Sequence, residues 1–212
     1  MTVARGWRRL AILAIACVAV ACTSGPPPPN DAPYVGQIEQ DRAEKDAFFK
    51  TTDGPLTPEQ RRTFTSLPYF PVDPAYRVPA RLVIETVDRA TVLELPQSHT
   101  EEKRKVRRLG VLHFSLPVAG EGEFTLTAFV EVDAPDAKRL FVPFTDMTSN
   151  KETYGGGRYL ELKQTPTGLY DLDFNTAYHP YCVYNASFVC PLPPRENKLM
   201  TAIKAGERLP NQ

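Results

Sequence analysis

The sequence lacks a net charge, an apolar run of membrane-spanning length, an internal repeat and any long helix between its period-two segments. Lys and Arg number 25 and Asp and Glu 25, so the formal charge is +0. That balance argues against a general nucleic-acid binder, which carries a basic excess. The longest uncharged apolar stretch, residues 10–21, falls short of the ~20 residues a spanning helix needs, so a multi-span membrane protein is excluded. Hydrophobic residues at 42% and charged residues at 24% are ordinary globular usage and exclude wholesale disorder. Gly is modest at 12, Pro is high at 21, and there are 4 Cys. A chain of 212 residues holds one ordinary domain.

What is present at the amino end is a targeting segment. Arg5, Arg8 and Arg9 precede the apolar run, which suits a secretory signal. The run ends in Val18-Ala19-Val20-Ala21-Cys22, similar to the bacterial lipobox, with Ala19 where Leu is usual. Residues 1–21 are therefore expected to be a signal peptide and Cys22 the lipidated first residue of an exported protein, anchored in the cell envelope on its periplasmic or extracellular face. Cys17 is a weaker lipidation candidate, and simple secretion with cleavage near Ala21 is the plainer reading. Loss of the three arginines leaves 22 basic against 25 acidic residues, a formal −3. Residues 22–33 contain Pro26-Pro27-Pro28-Pro29, a polyproline spacer that holds a domain off a membrane at ~3 Å per residue. Residues 34–212 are the domain.

Its first part is helix-compatible from Tyr34 to Lys50, and Thr57-Pro58-Glu59-Gln60 predicts a capped helix running to about Ser66. From Tyr76 the period becomes two. Segments 76–86, 91–96, 106–116, 122–132, 139–145, 157–165, 169–176 and 198–205 predict strands. Short strands separated by turn signals predict a mainly β domain, a single antiparallel barrel or sandwich with a short N-terminal helical cap. The basic run Lys103–Arg108 is preceded by Glu101 and Glu102, and it predicts a solvated hairpin entrance rather than a polyanion site.

Candidate chemistry concentrates in the C-terminal third, where six of the nine Tyr fall between Tyr154 and Tyr184. Gly155-Gly156-Gly157-Arg158 is either a flexible turn or a place where backbone N–H groups and Arg158 hold an anion. A three-residue connection at 166–168 would pair Leu162 with Leu172 and Leu160 with Phe174, and on the other face Glu161 with Asp173. Carboxylates so opposed lie ~5 Å apart at their β-carbons and could act as a general acid and base or hold a cation. Cys182 and Cys190, the thiols left after export, are expected to form a disulfide closing a short loop; the alternatives are a metal site with His179 that reaches only three ligands and a reactive thiol. No metal or other cofactor is expected.

Further motifs share one origin. They are Lys45-Asp46 before Phe48, Leu67-Pro68-Tyr69-Phe70-Pro71, and the Tyr154–Leu160 segment. They continue in Leu172-Asp173-Phe174-Asn175, Ala177-Tyr178, Pro180-Tyr181-Cys182, Cys190-Pro191-Leu192-Pro193-Pro194 and Glu196-Asn197. In these the sequence resembles the DUF1684 family of uncharacterised bacterial and archaeal proteins, over residues 38–208. The resemblance implies one compact domain and no particular activity. The family pattern has Asn-Pro where this chain has His179-Pro180, which speaks against His179 as a required ligand or base. Many relatives look cytosolic, which favours the metal and thiol readings of the Cys pair.

Two functions follow as expectations. The first is a membrane-anchored lipoprotein binding a small molecule through Arg158, Asp173, Asn175, Tyr178, Tyr181 and Asn197. The second is a hydrolase-like enzyme using Glu161 and Asp173, with or without a metal at the Cys pair.

Overall fold

The period-two segments put every second side chain on one face, and that face becomes the interior of a curled sheet. The computed structural model describes residues 30–84, 92–132 and 138–210. The predicted signal peptide, Cys22 and most of the Pro-rich spacer lie outside them. Seven strands form one antiparallel sheet: β1 Arg77–Val83, β2 Val92–Pro96, β3 Lys103–Ser115, β4 Glu123–Glu131, β5 Arg139–Phe144, β6 Arg158–Lys163 and β7 Leu169–Asp173. Their order is β6-β5-β4-β3-β1-β7, with β2 on β3 beside β1. The long β3 makes this possible. Its first half pairs with β2 and its second half with β1, while β4 follows its length on the other edge.

The interior is one apolar cluster. Val78, Ala80 and Leu82 of β1, Leu112 and Phe114 of β3, Leu126 and Ala128 of β4, and the alternate residues of β5, β6 and β7 meet there. The sheet is nearly closed, with β6 and β7 as its two free ends.

That arrangement corrects the predicted β6–β7 hairpin. The faces are as the alternation required, since Leu160, Leu162, Leu172 and Phe174 are all buried. The partners differ. β6 pairs with β5, Leu160 opposite Val142, and β7 pairs with β1, Leu172 opposite Val78. The connecting turn is spent on both neighbours: Gln164 N–H donates to Lys138 O at 2.8 Å, and Gly168 O accepts from Leu82 N–H at 2.8 Å. Residues 164–168 therefore carry the chain across the seam of the barrel instead of folding it back.

The eighth predicted strand, 198–205, does not form. Leu199, Ile203 and Ala205 are buried as a strand face would be, but the carbonyls of Ile203 and Ala205 turn to the Arg158 guanidinium. Acceptors used that way cannot serve a ladder. The basic run lies in β3, where Arg104 meets Glu131 at 2.8 Å and Lys103 meets Glu94 at 3.6 Å.

The N-terminal cap is α1, Ala32–Phe49, followed by α2, Pro58–Thr63. In α2 the predicted box is present: Thr57 Oγ1 accepts from Gln60 N–H and Gln60 Oε1 accepts from Thr57 N–H at 2.9 Å. In α1 only Ile38 and Phe49 are buried, so polar contacts hold it. Tyr34 donates to Asp173 at 2.7 Å, Asp46 accepts from Leu67 N–H at 2.8 Å, and Lys45 pairs with Glu207 at 2.5 Å. No described helix is long and apolar enough to cross a membrane.

Candidate functional site

β6 alternates like the other strands, so Arg158, Leu160 and Leu162 point inward while Tyr159 and Glu161 occupy the other face. Arg158 is 1% exposed. Its guanidinium donates to Asp146 Oδ2 at 2.9 Å, to Ile203 O at 2.7 Å, to Glu207 O at 3.1 Å and to Ala205 O. Burial pulls its pKa down and Asp146 opposes that. Both terminal nitrogens are used in this way and only the buried Nε lacks a partner, so the structure does not bring Arg158 to a cavity.

The Gly triplet has a packing cause. A Cβ at Gly155 would overlap the Asn150 amide, at Gly156 the Tyr154 ring, and at Gly157, where φ is +89°, the Phe144 carbonyl and Pro193. These glycines leave room for four close neighbours, Asn150, Tyr154, Phe144 and Pro193.

Asn197 and Asn175 are also internal. The Asn197 amide accepts from Thr127 N–H at 2.7 Å and donates to Thr127 O at 2.9 Å and Pro143 O at 2.7 Å. It fills the place where β4 and β5 diverge and Pro143 has no N–H to offer. Asn175 accepts from Asp73 N–H at 3.0 Å and donates to Asp73 O, Tyr34 Oη and Asp173 Oδ1. With Asp173 it clamps the start of α1 to the end of β7.

What does open to solvent is a cavity of about 540 Å³ on the outer face of β6. It is lined by Tyr159 and Glu161 of β6, Arg139 of β5, Lys45 of α1, Thr176, Tyr178, Pro180 and Tyr181, and the segment Phe188–Pro191. Of the residues predicted from sequence, Glu161, Tyr178, Tyr181 and Cys190 come together here. Two backbone hydrogen bonds between Tyr159 and Tyr178, at 2.9 and 3.1 Å, join β6 to the loop that supplies the tyrosines. Their rings meet edge to face at 5.7 Å, as do Tyr181 and Phe188 at 5.4 Å. Tyr178 Oη donates to Glu161 Oε1 at 2.8 Å, Arg139 reaches Glu161 Oε2 at 3.4 Å, and Lys45 Nζ stands 4.5 Å from the centre of the Tyr178 ring. Burial, and then the Glu161 charge, raises the Tyr178 pKa, so it remains a donor to the carboxylate. Glu161 and Asp173 do not oppose each other across a ladder. They share a second cleft of about 310 Å³ at the seam, with Lys163 and Asp171.

Sequence reasoning missed Lys45, Arg139, Tyr159 and Phe188. The Lys45-Asp46 motif was the available signal for the first. The outward parity of β6 was the signal for Tyr159.

The expected disulfide is not formed in this structure: Cys182 and Cys190 are two buried free thiols. Cys182 N–H donates to Cys190 Sγ at 3.2 Å. Hydrogen bonding from Cys190 pulls the Cys182 thiol down to about 6, and the same bond holds the Cys190 proton far above the thiol range. Among the described residues no three of His, Cys, Asp or Glu cluster as metal ligands. His179 sits elsewhere, its Nε2 accepting from Tyr154 N–H at 3.2 Å and its Nδ1 3.7 Å from Glu207. Burial, then Arg158 and Lys45, push its pKa down to about 3, so the ring is neutral. The buried Glu207 is meanwhile satisfied by Lys45, His179 N–H at 2.7 Å and Tyr184 Oη at 2.8 Å.

Residues 62–208 match the model of a protein family of unknown function, DUF1684. The chain belongs to the DUF1684 family. It is also similar to an uncharacterised protein of Haloarcula marismortui whose solution structure is known. That protein is 36% identical, with a TM-score of 0.63, over 84% of this chain and 95% of the other. No curated protein matches the sequence. The match to DUF1684 spans all seven strands and most of the cavity wall, while α1, with Lys45, lies ahead of it.

Proposed function

We propose that this DUF1684 protein is an exported, lipid-anchored envelope protein that binds a small molecule in the 540 Å³ cavity. The observation that carries the reading is the composition of that wall. Four aromatic rings and two prolines surround one oriented carboxylate, within the usual ~300–1,000 Å³ of small-molecule sites. Tyr178 and Arg139 fix Glu161, so a ligand with a planar apolar body and a hydrogen-bond donor fits the wall best. The anchored location rests on the n-region arginines, the apolar run and the lipobox-like residues ahead of Cys22. In an oxidising envelope, Cys182 and Cys190 would be able to close a short loop as a disulfide.

A thermal-shift screen of small aromatic and amine-bearing compounds tests the cavity. Compounds that raise the Tm of the wild type should lose that effect when Tyr178→Ala and Glu161→Gln are combined. Hits that act equally on the double variant would refute the site. For the anchor, palmitate labelling and membrane fractionation should both disappear with Cys22→Ala. Label that survives would place the lipid elsewhere.

A further inference from the structure

Cys190 lines the cavity, and its sulfur already accepts the Cys182 N–H at 3.2 Å. Polar donors surround the pair. Ser98 Oγ accepts from Cys190 N–H at 3.1 Å, and Ser98 also hydrogen-bonds the Cys182 sulfur. The Tyr154 phenol reaches that same sulfur. Its ring lies across Gly156, where any Cβ would displace it. Next to Ser98, His99 is held at φ 58°, a left-handed conformation uncommon outside glycine. Backbone bonds on either side pin the cysteine segment to β2, Ser98 N–H to Cys190 O at 2.9 Å and Leu192 N–H to Pro96 O at 2.7 Å. Two adjacent sulfurs, one facing a cavity and one supported by hydroxyl donors, have the parts needed for two-electron exchange without a third group.

We propose that Cys182 and Cys190 are a redox-active dithiol that exchanges with a small disulfide admitted through the cavity. The inference rests on the small-molecule reading of that cavity and gives its ligand a chemical class. Cys182, the more acidic thiol, first releases its proton to water; the Cys190 proton then passes across the S–H···S contact to Cys182, leaving Cys190 as the thiolate under the Cys182 N–H. Cys190 Sγ attacks one sulfur of R–S–S–R′, the ligand S–S bond breaks, and R′S⁻ leaves. Cys182 gives its proton to R′S⁻ and attacks Cys190 Sγ. The Cys182–Cys190 bond forms and RS⁻ departs, taking a proton from water. The pair loses two electrons and the ligand disulfide gains them.

The test uses the full mature chain, oxidised glutathione as the probe, and maleimide mass tagging of free thiols. Wild type should lose both tags, with dithiothreitol restoring them. Cys182→Ser, which cannot resolve the intermediate, should accumulate one glutathione on Cys190, and Cys190→Ser should accumulate little. Melting curves for both variants confirm that they fold. Wild type that keeps both tags, or variants that are labelled equally, would overturn the proposal. Closure at an unchanged rate in the Tyr178→Ala/Glu161→Gln protein would remove the cavity from the mechanism and leave the dithiol standing. A pair that never closes, in a protein whose cavity still binds screened compounds, would overturn the dithiol alone.

Discussion

The two terminal nitrogens of the buried Arg158 are held by one carboxylate and three carbonyls. Removing the guanidinium strands Asp146, which would keep only the Thr148 and Ile203 donors. Arg158→Met should therefore destabilise the fold by about 3–5 kcal/mol in urea unfolding, as for other broken buried pairs. Arg158→Lys should not rescue it, because an ammonium cannot reach acceptors spread as a planar fork. His179 gives a second residue-scale expectation. Its pKa in the fold is about 3 against an ordinary 6.5, so the unfolded chain takes up the proton first. Its contribution is complete above about pH 6.5 and drains as pH falls toward 3, by an amount on the order of 5 kcal/mol. His179→Asn keeps an acceptor for Tyr154 N–H and removes the titration. Urea midpoints measured from pH 7.5 down to pH 5 should fall less steeply in that variant. Equal slopes would place the acid sensitivity in another group.

At the scale of elements, α1 is a polar helix held at a few points. Phe49 is its deepest, 0% exposed and packed against Phe64, Tyr181 and Tyr184 at ring distances of 5.8, 6.0 and 5.1 Å. Phe49→Ala should cost about 3–5 kcal/mol. Because Tyr181 lines the cavity, the same change should weaken any ligand found in the thermal-shift screen. A variant that melts early but binds as tightly as wild type would show that Tyr181 holds its place without α1. The elements themselves were largely legible in the sequence. Seven of the eight predicted strands formed, and Thr57 and Gln60 announced α2, because alternation and capping are local signals. Partners were not legible. The alternation of β6 and β7 tells which side chains are buried but not which strand lies alongside, and two apolar faces match equally well across a hairpin or across a barrel. Segment 198–205 failed for a related reason. Its carbonyls are claimed by Arg158, more than forty residues away. The site divides the same way. Tyr178, Tyr181 and Glu161 could be found from the Tyr-rich composition and the strand parity. Arg158, Asn175 and Asn197 looked like ligand groups because polar side chains usually face water, and only the tertiary fold supplies the backbone groups that bury them.

Between Arg77 and Asp173 the sheet curls until its ends nearly meet, and the loop after β7 bridges the gap to β6. Tyr159 and Tyr178 exchange backbone hydrogen bonds at the cavity end of the seam, and β6 and β7 then run on without pairing. The 310 Å³ cleft lies along that unpaired length and is lined by Lys163, Asp171, Asp173 and Glu161. Charged side chains along an open edge discourage another strand from adding there, and the interior behind it stays covered by Leu162 and Tyr170. Backbone amides that face a solvated seam lack the protection of a ladder on both sides. Hydrogen exchange read by mass spectrometry should therefore show residues 160–170 exchanging well before 110–116 and 124–130, the central β3 and β4 segments. Equal protection of the two regions would mean that β6 and β7 are zipped in solution. The predicted register, Leu162 opposite Leu172, would then describe a closed form of the barrel. In that form Glu161 and Asp173 would face each other directly, and the cleft between them would be gone.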